Sequence, residues 1–192
     1  MFYNSFPNDL WEDLNSIIPV LPIETFNNIR KTISEDTVSY ILDCGEIKFP
    51  YRIYFMDIDD PRYNSLTERQ KQIVSCIYTR SCDGYIRKKY LRKLLETEFE
   101  PWVIPFIVKP CDEYVVEILE MIYEKLKDRN NTDIQTFCLA NKAMIHRGYT
   151  RMISYWNEFY RWDCYRYCDY IGKKLYRDCF GYFRTGQKTI KE

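Results

Sequence analysis

The sequence predicts a mainly α-helical fold, a compact multi-helix domain with one short β-hairpin near residues 37–56. Apolar residues recur every three or four positions over most of the chain, which is the period of a helix face. Residue types that begin helices precede several of these stretches. Only one stretch is rich in the β-branched and aromatic residues that favour strands. We therefore expect helix in more than half of the residues and strand only within residues 37–56.

The first 35 residues predict two short helices. The first runs from Asp9 to Ile18 and ends at Pro19, because proline has no amide hydrogen to continue the helix. Its apolar positions share one face and are Leu10, Leu14, Ile17 and Ile18. Pro22 suits the first turn of the second helix. The apolar positions of that helix are Ile23, Phe26, Ile29 and Ile33.

Residues 37–56 have the pattern of a hairpin. Residues 37–42 (TVSYIL) favour a strand, and residues 43–46 (DCGE) contain the glycine of a turn. Residues 47–55 resume the strand pattern, although Pro50 interrupts it. Because proline cannot donate to a sheet, the hairpin is expected at an edge or a bulge.

From Ser65 to Gly148 the pattern is helical. Ser65 and Glu68 have the spacing of a capping box, in which two side chains close the first turn of a helix. Thr132 and Gln135 have the same spacing. The pair Asp83–Gly84 predicts a turn between two helices, and Gly148 is expected to end the last helix of this region.

Part of this region resembles the paired helices of HEAT-like repeats. The resemblance depends on residues 83–87 (DGYIR) with the leucines that follow, residues 101–106 (PWVIPF) and residues 115–119 (VVEIL). In such repeats a short acidic turn and an arginine precede the inner helix, and a proline marks the outer one. The resemblance implies stacked helix pairs. A non-repetitive helical bundle is the alternative, because no second copy follows at a period of about 40 residues.

The carboxy-terminal part predicts one long aromatic helix, or two joined helices, from about Thr150 to Phe180. All eight prolines lie at or before Pro110, so no proline breaks this region. No Ser/Gly-rich linker divides the chain. We therefore expect one helical domain over residues 1–192, with a frayed tail after about residue 181.

Net charge and hydropathy exclude two classes of protein. The chain has 28 basic and 28 acidic residues, which excludes a polycation that binds nucleic acid by bulk charge. No charge-free stretch reaches the length of about 18 residues that a membrane helix needs.

The amino terminus lacks the pattern of a secretory signal, so a cytoplasmic protein is expected. Its eight cysteines are then expected to be reduced thiols without disulfide or zinc, several of them packed as small apolar side chains.

Three motifs contain residue types that can support catalysis or metal binding. His146 is the only histidine and adjoins the predicted helix end, where a cation complements the helix dipole. Cys164 and Cys168 are expected to pack inward from one helix face, because their spacing is not that of structural zinc sites. Residues 57–60 (DIDD) lack the glycine and distal glutamate of a calcium loop. The sequence thus predicts no catalytic residue, cofactor or metal.

The charges are distributed unevenly along the chain. Residues 1–146 have a net charge of −5, and residues 147–192 have a net charge of +5 and many aromatic residues. Three interpretations remain open: a core whose arginines pair within the chain, a protein interface, or a surface for single-stranded nucleic acid. The candidate interaction surface consists of Arg147, Arg151, Tyr155, Arg161, Tyr165 and Arg166. Trp156 lies about 100° around the helix from Tyr155 and is expected to be buried.

The favoured hypothesis is a non-enzymatic protein-binding domain of the adaptor, scaffold or toxin-neutralising type, with an unidentified protein partner. Single-stranded nucleic-acid binding through the same carboxy-terminal segment is the first alternative. An unrecognised enzyme or metal protein is the second.

Overall fold

The computed structural model describes residues 2–23 and 32–183. It is 61% helical and contains a small two-stranded antiparallel sheet, which confirms the predicted class. Contacts within the chain group it into two compact units, Met1–Pro110 and Cys111–Glu192. The single domain over residues 1–192 stays a prediction, as does the HEAT-like pairing of helices. The expected tail after about residue 181 lies largely outside the described residues.

The first unit contains five α-helices among its described residues. They are α1 (Trp11–Ile17), α2 (Asp60–Asn64), α3 (Glu68–Tyr78), α4 (Gly84–Glu96) and α5 (Ile104–Val108). Leu10, Leu14 and Ile17 are fully buried, as the spacing of the first predicted helix requires. The second predicted helix falls mainly on residues 24–31, which lie outside the described residues.

The hairpin consists of β1 (Thr37–Leu42) and β2 (Gly45–Pro50). Val38 pairs with Phe49 and Tyr40 with Ile47, so these four buried side chains share one face. Gly45 has a φ of 124°, which a residue with a side chain rarely adopts. The second strand begins at Gly45 and ends at Pro50, so its predicted extent over residues 47–55 is wrong. The Phe49 ring stacks on Phe106 of α5 with centroids 4.5 Å apart, which joins the hairpin to the core.

The helix caps of the first unit differ in part from those predicted. The capping box of α3 is formed by Thr67 and Gln70, so the predicted pair Ser65–Glu68 is wrong. Ser65 instead ends α2, where its hydroxyl donates to the carbonyl of Arg62 over 2.7 Å. Asp83 caps α4, because its Oδ1 accepts from the amides of Tyr85 and Ile86.

The described part of the second unit has four α-helices, α6 (Val116–Leu126), α7 (Thr132–Ala140), α8 (Lys142–Tyr155) and α9 (Ile171–Asp178). Helix α6 packs against α9, and α7 packs against α8. The predicted capping box Thr132–Gln135 is wrong, because the Thr132 amide and hydroxyl both donate to Asn130 Oδ1. Gly148 is buried inside α8 and does not end it.

The predicted long helix from Thr150 to Phe180 is interrupted. Helix α8 passes into a π-helical turn (Trp156–Tyr160), and a non-helical stretch and a 3₁₀ turn (Tyr167–Asp169) precede α9. The Trp156 indole donates to the carbonyl of Cys164 over 2.9 Å, so a side chain satisfies a backbone acceptor within the break. Within the described ranges, no helix combines the length and apolarity needed to cross a membrane.

Candidate functional site

Helix α8 carries the first three residues of the predicted surface. Arg147, Arg151 and Tyr155 are four residues apart and therefore lie along one side of the helix. Both arginines are exposed and Tyr155 is half-buried. Arg147 has no carboxylate partner among the residues that the structure describes. This side of α8 therefore carries two cationic side chains, Arg147 and Arg151, followed one turn later by the aromatic ring of Tyr155.

Arg151 differs from Arg147 because it forms an ion pair. Its Nη1 lies 3.1 Å from Asp112 Oδ2, and the Asp112 side chain is only 12% exposed. A charged carboxylate in a buried position is costly without a partner. Arg151 therefore stabilises the second unit as well as contributing to its surface.

Three exposed or half-buried rings form an aromatic cluster beside this ion pair. Tyr155, Phe159 and Tyr114 have ring centroids 6.1 to 6.3 Å apart. The Phe159 and Tyr114 side chains are more than half exposed. We call these three residues the aromatic cluster. It is an apolar patch at the point where α8 passes into its π-helical turn, a distortion often found at functional sites.

Tyr160 fixes the backbone at Tyr114, one member of the aromatic cluster. Its hydroxyl donates to the carbonyl of Tyr114 and accepts from the Val116 amide over 3.4 Å. Burial raises the pKa of Tyr160 above its ordinary value, so the phenol stays neutral and keeps its proton for this bond. The backbone at Tyr114 is thereby fixed next to Phe159.

The remaining predicted residues lie in the turn that follows. The Arg161 guanidinium lies 5.9 Å from the Tyr165 ring centroid and donates to Asn157 over 3.2 Å. Arg166 is 3.6 Å from Asp169 in a solvent-exposed pair. Trp162 and Tyr165 are 91% and 73% exposed, respectively. We call residues 161–166 the exposed turn.

Trp156 corrects a prediction, because it is half-buried rather than fully buried. Its ring lies 4.9 Å from Tyr167 and 6.5 Å from the buried Tyr170. The side chain thus packs against two tyrosines that precede α9. Cys164 and Cys168 also lie in this region, outside any α-helix; Cys164 is half-buried and Cys168 is exposed. The prediction that both pack inward from one helix face is wrong.

Of the residues considered for chemistry, His146 lies in the first half of α8, so its predicted position beside the end of a helix is wrong. Two of the acidic residues at 57–60 have structural roles. Asp57 accepts from Lys89 over 2.8 Å and from Tyr90 over 2.6 Å, and Asp59 caps α2. Burial raises the pKa of Cys138 to about 12, so this thiol is a weak nucleophile. Within residues 2–23 and 32–183, no three His, Cys, Asp or Glu side chains are placed to hold a metal ion.

Sequence reasoning omitted three residues from the surface: Tyr114, Phe159 and Trp162. Phe159 lies four residues after Tyr155, so helical spacing places it on the same side. The exposure of Trp162 depends on the break in the helix, which has no proline or glycine to mark it. Tyr114 belongs to a distant part of the sequence, and no local pattern connects it with the other two.

Comparison of the chain with protein-family models, with curated proteins and with solved structures finds no match.

Proposed function

We propose that this chain is a non-enzymatic protein-binding module, and that the aromatic cluster and the exposed turn form its binding surface. The observation that carries the proposal is the exposure of Phe159, Trp162 and Tyr165 within seven residues, at 55%, 91% and 73%. Leaving such apolar area in water is unfavourable, and contiguous exposed apolar patches mark interaction sites.

The composition of this surface favours a protein partner. Trp, Tyr and Arg are the residues that most often supply the binding energy of protein interfaces. Here Arg161 lies over the ring of Tyr165, and Trp162 lies between them in the chain. A rigid aromatic side chain loses little conformational entropy when a partner covers it. We expect Trp162 to contribute most, because it has the largest area left to bury.

Nucleic acid is the less favoured partner because acidic side chains are interspersed with the arginines. Glu158 and Asp163 are exposed within the segment. Two of the arginines, Arg151 and Arg166, are already paired with carboxylates. A surface that follows a phosphate backbone needs cations without neighbouring anions, since carboxylates repel phosphate.

The experiment compares two exposed aromatic residues. Trp162→Ala removes the central side chain of the proposed surface, and Tyr85→Ala removes a side chain of similar exposure on α4. Each variant and the wild type are used as bait in cell extract, and the partner is then purified for affinity measurement. We expect at least a tenfold loss of affinity for Trp162→Ala, about 1.4 kcal/mol or more, and no change for Tyr85→Ala. Equal affinity of the two variants would contradict the proposal.

A nuclease and salt series separates the two partner classes. A protein complex should persist after nuclease treatment and weaken only modestly between about 50 and 200 mM salt. Binding of a labelled oligonucleotide that falls by orders of magnitude over this range, and is lost in Trp162→Ala, would favour nucleic acid instead.

We also propose that the protein acts in the cytoplasm, as an adaptor, a scaffold or a toxin-neutralising partner. All eight cysteines are free thiols, a state that a reducing compartment maintains.

A further inference from the structure

A cavity of about 380 Å³ lies in the second unit, and its lining includes none of the residues assigned to protein binding. On one side it is lined by Leu139 of α7 and by Lys142 and His146 of α8. On the other side it is lined by residues 180–183, which follow α9. Its volume falls within the range of small-molecule sites, about 300 to 1,000 Å³. The cavity is open on one side, so a ligand has access to it.

Two apolar side chains of the cavity lining remain exposed to solvent. Cys138 and Phe180 are buried at the cavity, whereas Leu139 and Phe183 are 60% and 68% exposed. A planar apolar ligand would remove area of both exposed side chains from water, which is favourable. The buried Cys138 thiol adds a small apolar surface, because its raised pKa keeps it neutral.

The wall formed by residues 180–183 is held in a defined position. Gly181 has a φ of 62°, which turns the chain after α9. The Tyr182 amide then donates to the carbonyl of Tyr176 over 2.9 Å, and the Tyr182 ring packs 4.8 Å from Tyr149. Its hydroxyl lies 2.5 Å from His146 Nδ1. The cavity is therefore largely preformed, which lowers the entropic cost of binding.

The polar groups of the lining favour an anion. Lys142 is exposed and forms no ion pair with any residue that the structure describes. In the tautomer in which Tyr182 donates to Nδ1, the His146 Nε2 carries a hydrogen and provides a second donor. An ammonium group next to aromatic and aliphatic side chains complements a ligand with one carboxylate and one ring.

We propose that this cavity binds a small aromatic carboxylate, with the carboxylate on Lys142 and the ring between Leu139 and Phe183. The site is independent of the proposed protein-binding surface. Lys142 supplies the charge that distinguishes the acid from a neutral analogue of the same shape. His146 supports it as a hydrogen-bond donor.

The test uses phenylacetate and its neutral amide, phenylacetamide, as probes of the full-length protein. Calorimetry measures affinity, and NMR of the Leu139 methyl groups locates binding. We expect phenylacetate to bind at the cavity about tenfold more tightly than phenylacetamide, the difference that one charge-assisted hydrogen bond supplies. Lys142→Gln should remove this preference, and Lys48→Gln, at an exposed lysine of β2, should retain it.

Thermal unfolding shows whether Lys142→Gln and Lys48→Gln are folded. His146→Gln is a second variant of the cavity lining and removes the proposed supporting hydrogen-bond donor. Absence of phenylacetate binding would overturn the proposal. So would equal affinity for the acid and the amide, or a preference that Lys142→Gln leaves unchanged. Because Trp162→Ala leaves this cavity intact, failure here is distinguishable from failure of the proposed protein binding.

Discussion

Arg151 and Asp112 are 39 residues apart in the sequence and form a 3.1 Å ion pair next to the one glycine in α8. A Cβ atom at Gly148 would lie 3.2 Å from the Asp112 Cβ and 2.8 Å from the Tyr176 hydroxyl. The close approach of Asp112 to α8 thus requires the absence of a side chain at position 148. Gly148 leaves room for Asp112 in this way, although glycine has a low helix propensity.

Gly148→Ala should therefore destabilise the protein by about 1 to 3 kcal/mol, because the added methyl group displaces Asp112 or Tyr176. Gly84→Ala is the matched control, since the added Cβ meets only Arg87 Nη2, at 3.6 Å. It should be neutral or stabilising by up to about 1 kcal/mol. Urea unfolding monitored by circular dichroism measures both free energies. Equal values would show that Asp112 does not depend on position 148.

Arg151→Ala should destabilise the protein by about 1 kcal/mol, because a largely buried carboxylate loses one of its partners. Arg166→Ala removes an arginine whose pair with Asp169 is exposed on both sides. It should change the free energy of unfolding by less than about 0.5 kcal/mol. Urea unfolding of the two variants at moderate salt distinguishes these roles. A larger effect of Arg166→Ala would contradict the assignment of Arg151 as the structural arginine.

The two tryptophans near the helix break should separate stability from binding. Trp156→Ala removes a half-buried ring and its hydrogen bond to the Cys164 carbonyl, with an expected cost of about 2 kcal/mol. Trp162→Ala should cost less than about 0.5 kcal/mol, because its side chain is almost fully exposed. Thermal unfolding and affinity measurement on both variants provide the check. If Trp162→Ala unfolds the protein as readily as Trp156→Ala, residue 162 belongs to the core.

Seven of the eight cysteines should react in two groups. Exposed Cys44, Cys82 and Cys168 should be alkylated by iodoacetamide in the native protein. The buried thiols should resist until the protein unfolds: Cys76, Cys111, Cys138 and Cys179. Mass spectrometry of peptides after native and denaturing alkylation gives the extent at each site. Rapid native modification of Cys138 would contradict its burial.

Burial also predicts how stability depends on pH. It raises the pKa of Cys138 and Cys179 to about 12, whereas an unfolded thiol ionises near pH 8.5. Their contribution to stability is complete below about pH 8.5 and is lost as the pH rises toward 12, since the unfolded state releases its protons first. Urea unfolding across this range should show a smaller decline for Cys138→Ala than for the wild type. An identical decline would exclude Cys138 as a source of the effect.

The secondary-structure elements that the sequence predicts are those determined by residues close together in the chain. The β-prone residues 37–42 and the turn glycine predict the hairpin, and spacings of three and four predict the buried face of α1. The predicted caps of α3 and α7 are wrong, because several adjacent polar residues can serve as caps. Ser65 and Thr67 both suit the role, and the position at which α2 ends decides between them.

The candidate surface also has some features that local sequence predicts and others that depend on tertiary contacts. Its arginines and aromatic residues are evident from composition, and helical spacing aligns Arg147, Arg151 and Tyr155. The contact of Tyr114 with Phe159, the pairing of Arg151 with Asp112 and the exposure of Trp162 arise from the tertiary structure. Periodicity reports local backbone preference over a few residues, so it predicts the helical class and the hairpin. Which side of a helix remains in water depends on contacts between residues tens of positions apart, and those form only when the chain packs.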